Sequence, residues 1–156
     1  MRTKFSDFVF DSKKGFFILP DNDSTVNYRD ASEDYLLQVL KNTKDTTSTS
    51  MELESHIKDW PSLYHFSTKR GNILRALDFL SHNSMVLELG AGCGAITRSL
   101  GESFQTVHAV EGNQVRASIA KERCRDLENV KVFCANIQDI NFEKKYDVVT
   151  LIGVLE

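Results

Sequence analysis

No stretch of this chain is long and apolar enough to cross a bilayer, and its first ten residues, Met-Arg-Thr-Lys-Phe-Ser-Asp-Phe-Val-Phe, lack the unbroken apolar core of a secretion signal. The two absences lead to the expectation of a cytoplasmic protein without a membrane span. Cysteine is scarce and odd in number: Cys93, Cys124 and Cys134 stand far apart, which fits reduced thiols better than a disulfide framework or a paired-cysteine metal site. No bound metal is expected. Excess charge of one sign is also missing. Nineteen Lys and Arg against 22 Asp and Glu leave a net charge of -3, so nothing draws the chain toward a phosphate backbone and no nucleic-acid partner is implied. What is present is 156 residues with 41% hydrophobic content, enough for one sizeable core.

Two aromatic runs, Phe8 to Phe10 and Phe16 to Leu19, flank Asp-Ser-Lys-Lys-Gly and read as a small peripheral hairpin closed at Pro20. Asp30 and Glu33 make a capping box for a short helix whose Leu36, Leu37 and Leu40 share a face. Lys41 to Ser50 is polar and low in complexity, with nothing to bury, and reads as a linker. Residues 1–50 are therefore expected to form a hairpin and helix extension with its linker, and residues 51–156 the main unit. Trp60-Pro61 marks a break, and Ser67 or Thr68 caps a helix presenting Ile73, Leu74, Leu77 and Leu80.

From Met85 the pattern becomes strand, glycine turn, helix, repeated. Val86–Leu89, Val107–Val110, Val130–Ala135 and Val148–Ile152 are apolar runs of strand length. Between them lie a helix from Ala95 to Leu100, ended by Gly101, and another from Gln114 to Leu127, capped by Asn113. This alternation requires right-handed crossovers and a parallel sheet covered on both faces, so the fold class is α/β.

The sharpest local signal is Val86-Leu87-Glu88-Leu89-Gly90-Ala91-Gly92-Cys93-Gly94, a buried strand running into alternating glycines before a helix. Glycine permits positive φ and lets a ligand lie against bare backbone, while the helix start offers unpaired amides. Glu111 ends the next strand, where an acid can accept both hydroxyls of a ribose. A nucleoside-containing ligand follows. Gly90-x-Gly92-x-x-Ala95 also satisfies the dinucleotide fingerprint, which leaves a NAD(P)-dependent oxidoreductase as one alternative reading.

Val86 to Gly94, with the acid Glu88 two positions before the first glycine, resembles the first motif of class I S-adenosylmethionine-dependent methyltransferases. The resemblance continues through Val107-His108-Ala109-Val110-Glu111-Gly112, through Val130 to Ile140, and from Tyr146 to Glu156. It implies a Rossmann-like sheet and S-adenosylmethionine as cofactor, with S-adenosylhomocysteine as product. Gly90, Ala91, Gly92 and Gly94 would meet its methionine part, and Glu111 with Gly112 its ribose. Asn136 and Ile137 would meet the adenine, with asparagine departing from the family's usual acid, and backbone near Ile152 would complete the site with Glu88. The segment Trp60 to Arg70 together with Gly92 to Arg98 is similar to methyltransferase domains of bacterial surface-glycan biosynthesis proteins, which implies a small-molecule or glycan acceptor.

Complete folds of this family resemble a seven-stranded sheet of order 3-2-1-4-5-7-6. Only four of those strands are legible here, which leads to the expectation of a domain truncated after strand four that either self-associates through the exposed edge of Val148 to Ile152 or is disordered near its end. The reading is of a methyltransferase enzyme whose fragment alone is a candidate for inactivity, and a non-catalytic interaction module is a further alternative. No residue stands out as a catalytic base. Cys93 reads as a packing residue, and His65 is open between a structural role and closure over the cofactor. Arg70 and Arg75 are candidate partners of the cofactor carboxylate, with Arg75 better read as solvated. Lys121, Arg123 and Arg125 have intrahelical partners in Glu122, Asp126 and Glu128.

Overall fold

The computed structural model describes residues 3–20, 26 and 31–154. Its elements in chain order are β1 (Thr3–Lys4), β2 (Val9–Asp11), β3 (Phe16–Ile18), α1 (Glu33–Asn42), α2 (Met51–Glu54), α3 (Trp60–Phe66), β4 (Met85–Leu89), α4 (Ala95–Ser103), β5 (Thr106–Glu111), α5 (Gln114–Arg123), β6 (Val130–Cys134), β7 (Ile140–Asn141) and β8 (Val148–Leu151). A 3-10 helix, Arg70–Leu77, leads into β4.

The main sheet has the order β2-β3-β6-β5-β4-β8, and every pairing in it is parallel except that of β2 with β3. Numbering the four strands after residue 84 by their order in the chain, β6-β5-β4-β8 is 3-2-1-4. The fold is thus α/β and Rossmann-like. The strand order reverses between β4 and β8, which opens a crevice at the carboxyl ends of these strands.

Side chains alternate across the strands, and each face has its own cover. Val107 and Ala109 point with Val86, Val132 and Cys134 toward α4 and α5. Val110, Leu87, Leu89 and Phe133 point the other way. The second face is covered not by a crossover helix but by aromatic side chains, Phe5, Phe8 and Phe17 from the N-terminal segment and Phe142 and Tyr146 from beyond β6. Phe8 and Phe5 meet the Phe133 ring edge-on, and Phe17 stacks on it at 4.9 Å between centroids. The hairpin expected to be peripheral therefore forms one end of the sheet, because β3 hydrogen-bonds to β6 while its Phe16 is buried in the helix-side core. The edge left open by β6 is paired in this way.

Several local expectations change in the folded chain. Asp30 lies outside the described residues, and α1 starts after Ser32. Trp60-Pro61 begins α3 rather than breaking the chain, since a proline in the first turn gives up no helical hydrogen bond and Asp59 supplies the cap. Gly101 lies inside α4 instead of ending it. A Cβ there would sit 2.5 Å from Val130 and 2.7 Å from Leu127, so the glycine serves helix-to-sheet approach.

The polar segment from Lys41 to Ser50 is docked, not loose. Thr43, Thr46 and Ser50 are buried, and each has a partner: Thr43 Oγ1 donates to the Val39 carbonyl, Thr46 Oγ1 accepts from Arg98, and Ser50 caps α2. Arginines make this docking possible. Arg125 donates to the Leu40 and Thr43 carbonyls at the end of α1, at 2.7 and 2.6 Å, and buried Arg123 donates to the His65 carbonyl at the end of α3 at 2.6 Å. A helix leaves its last carbonyls without intrahelical donors, and a cation is favoured there. Two arginines expected to pair with acids of their own helix thus fasten two earlier helices, although the Arg125 pair with Glu122 also forms.

Candidate functional site

The crevice is a cleft of about 710 Å³ at the carboxyl ends of β4, β5, β6 and β8. Glu88, Gly90, Ala91, Gly92, Glu111, Gly112, Asn136, Ile137 and Ile152 all line it. Gly94, grouped with them in the sequence, does not. At φ +81° its missing Cβ would lie 2.7 Å from the Ala120 backbone, so this glycine allows α4 to start against α5.

The turn after β4 is set by hydrogen bonding and by two left-handed glycines. The Gly90 and Ala91 amides both donate to the Val110 carbonyl at 2.9 Å, which bends the chain off the sheet. Gly90 (φ +82°) and Gly92 (φ +54°) then adopt backbone conformations that side chains resist. Their surroundings differ. A Cβ on Gly90 would meet the Val154 side chain at 2.4 Å, whereas one on Gly92 meets nothing within 4 Å. The bare face of Gly92 looks into the cleft.

Glu111 sits opposite that face. Its Oε2 accepts the Gly92 amide at 2.7 Å and its Oε1 accepts the Asn113 amide at 2.8 Å. Asn113 in turn caps α5, accepting from the Val115 and Arg116 amides, and its Nδ2 donates to the Val26 carbonyl. The Val26 amide returns a bond to the Gly112 carbonyl at 3.0 Å, so residue 26 covers this corner of the cleft.

Glu88 is 3% exposed. Burial pushes its carboxyl up to about 7, opposed by the Thr97 hydroxyl, which donates to Oε2 at 2.6 Å, and reinforced by the charge of Glu111. A buried acid whose protonation changes near neutrality at the floor of a cleft can hold either a cationic or a hydrogen-bonding ligand group. Asn136 spends its side-chain oxygen on the Gln138 amide at 3.0 Å, capping the 3-10 turn Ile137–Asp139, which keeps a second lone pair for a ligand.

The opposite wall was only partly legible. Trp60, Pro61, Tyr64 and His65 of α3 line the cleft with Arg70, and Arg116 and Asn113 of α5 join them. His65 and Arg70 stood out in the sequence as open readings; Trp60 and Tyr64 carried no signal beyond their place in the pre-core segment. Cys93 is buried without a disulfide, in the packing role expected of it. Among the described residues, no group of three or more His, Cys, Asp or Glu is arranged to hold a metal ion. No helix there is long and apolar enough to cross a membrane.

Comparison with known proteins found several similarities. Residues 86–156 match the family model described as a methyltransferase domain. A malonyl-[acyl-carrier protein] O-methyltransferase of Bacillus anthracis is 33% identical over 66 residues, covering 41% of this chain and 24% of that protein. A ribosomal RNA small subunit methyltransferase A of Syntrophus aciditrophicus is 32% identical over 74 residues, covering 47% and 24%. The chain spans about a quarter of the length of these curated relatives. Among solved structures, M. jannaschii TYW2 in complex with AdoMet aligns at a TM-score of 0.45 and 26% identity, over 51% of this chain and 40% of that one. Residues 86–156 are thus similar to a methyltransferase domain, and the sheet they build is Rossmann-like.

Proposed function

We propose that the cleft binds S-adenosylmethionine and that the protein transfers its methyl group to a small-molecule or glycan acceptor, in the cytoplasm. The observation that carries this reading is the pairing of an unobstructed glycine face at Gly92 with the Glu111 carboxylate, 2.7 Å from the Gly92 amide. A nucleoside with a bulky sulfonium arm needs both. A carboxylate has about four acceptor sites, so Glu111 can keep its two amide bonds and still take ribose hydroxyls.

The site comprises Glu88, Gly90, Ala91, Gly92, Glu111, Gly112, Asn136, Ile137 and the backbone at Ile152, with Gly94 supporting the turn from behind. When bound, the cofactor supplies an electrophilic methyl on sulfur. The chain aligns it: the turn after β4 fixes the arm, Glu111 fixes the sugar, and Asn136 with Ile137 borders the base. Alignment of this kind is where most of the rate of a direct displacement arises. Three buried free thiols, Cys93, Cys124 and Cys134, accord with a reducing compartment.

Neither alternative is favoured. A nicotinamide dinucleotide would require room and donors for a pyrophosphate at a turn whose facing side chain is Glu111, and the matched family and relatives are methyltransferases. Isothermal titration with S-adenosylmethionine, S-adenosylhomocysteine and NAD decides the matter; heat from NAD alone would overturn the reading. Self-association along β8, where Val149 is 51% exposed, belongs to the same proposal, and a monomer in sedimentation would remove it.

A further inference from the structure

Glu88 has a close neighbour that is not part of the cleft lining. In the parallel pairing of β4 with β8, Glu88 stands in register with Thr150. Paired residues of adjacent strands project from the same face, and such strands run about 4.8 Å apart. That face lies under α4: Val86 is buried in the helix-side core, and Val148 and Ile152, two positions either side of Thr150, pack against it. Val149 and Leu151 point away and are exposed. Thr150 is 8% exposed, and its Oγ1 is buried with no hydrogen-bond partner among the described residues. Valine has nearly the same shape and would carry no polar cost there, so a hydroxyl in such a place calls for an acceptor.

Glu88 is placed to be that acceptor. Thr97 of α4 donates to Oε2 at 2.6 Å, while Oε1 takes no donor from the described residues. At the spacing of paired strands, rotation of the two side chains brings the Thr150 hydroxyl within reach of Oε1. We infer that Thr150 is a positioning residue for Glu88: its hydroxyl on β8 and that of Thr97 on α4 form a cradle, one donor to each oxygen, for the ionised carboxylate. The neutral acid keeps a proton on one oxygen and needs a single donor. On ionisation that proton leaves through the open cleft, and the Thr150 hydroxyl turns to the freed oxygen. The other groups around Glu88 do not take this part. Glu111 on β5 is an acceptor whose charge opposes ionisation, and the Cys124 thiol after α5, pushed up to about 12 by burial, stays neutral. Arg98 on α4 is held by Glu102 and Asp126, and His65, Arg70 and Arg116 belong to the opposite wall of the cleft. Thr150 thus favours the charged state of the cleft floor, the state suited to a cationic ligand group. The inference concerns Glu88 whatever ligand fills the cleft, so it does not depend on the nucleoside reading.

The experiment follows the Glu88 carboxyl by carbon NMR against pH in wild type, Thr150→Val and Thr150→Ser, with the resonance assigned by its loss in Glu88→Gln and each variant checked for unchanged thermal unfolding. The wild-type midpoint is expected near 7. Thr150→Val is expected to raise it by about one pH unit, because the carboxylate loses a hydrogen bond that the neutral acid does not need. Thr150→Ser keeps the hydroxyl and is expected to titrate as wild type does. Thr150→Ala gives the same readout should the valine variant unfold. An unchanged midpoint in both Thr150→Val and Thr150→Ala, or a shift in Thr150→Ser as large as theirs, overturns the inference. Titration of wild type with S-adenosylhomocysteine is read separately: its failure would overturn the proposed function, and the carboxyl midpoints would still decide the role of Thr150.

Discussion

The Glu111 carboxylate holds the Gly92 amide at 2.7 Å, so the acid at the end of β5 fastens the glycine turn at the end of β4. The same side chain accepts from Asn113 and thereby ties the turn to the cap of α5. Its proposed value to a ligand is therefore double: it would present acceptor sites to a sugar, and it keeps the bare backbone of the turn in shape.

Replacing Glu111 with alanine is expected to weaken S-adenosylhomocysteine binding by about 1–3 kcal/mol, since a charged acceptor and a loop fastening disappear together. Glu111→Gln keeps one acceptor and is expected to fall between. Calorimetric titration of both variants checks this, and unchanged affinity in Glu111→Ala would take the carboxylate out of the site.

Gly92 and Gly94 separate binding from folding. Gly92→Val adds bulk into open cleft, so ligand affinity is expected to fall more than stability, which bears only the left-handed backbone cost of about 1–2 kcal/mol. Gly94→Val drives its branch into the Ala120 backbone, and thermal unfolding is expected to show the larger loss there. Equal stability of the two variants would contradict this division.

Glu88 makes stability depend on pH. Its carboxyl is raised from an ordinary 4.5 to about 7 in the folded chain, so between these values the native state binds more protons than the unfolded one. Stability is then greatest below pH 4.5 as far as this group is concerned, and falls as pH rises to 7, by on the order of 3 kcal/mol. Urea unfolding across this range, compared with Glu88→Gln, isolates the effect; an identical slope in the variant would assign it elsewhere.

Arg98 locks the segment after α1. It is buried and bonds to Glu102 on its own helix, to the Thr46 hydroxyl, to the Arg123 carbonyl and to Asp126. Arg98→Ala is expected to cost about 1–3 kcal/mol, less than a fully buried pair because Asp126 is half exposed, and to open residues 43–50 to proteolysis. Unaltered protease resistance there would show that the threonines dock without it.

The sequence by itself determined the strands, the turn after β4 and the acid at Glu111, because these depend on local patterns: apolar runs of strand length, glycines where φ must be positive, and an acid at a strand end. The strand ends that carry Glu88, Gly92, Glu111, Asn136 and Ile152 line one cleft, since the carboxyl ends of adjacent parallel strands meet by topology. Only the tertiary structure decided what the N-terminal half does. Phe8, Thr46 and Arg123 owe their roles to partners far along the chain, and neither an aromatic run, a threonine-rich stretch nor an arginine on a helix states in sequence which carbonyl, ring or side chain it will meet. Gly94 and Gly101 show the same limit: the missing side chain was visible, but only packing against Ala120 and Val130 revealed why it had to be missing.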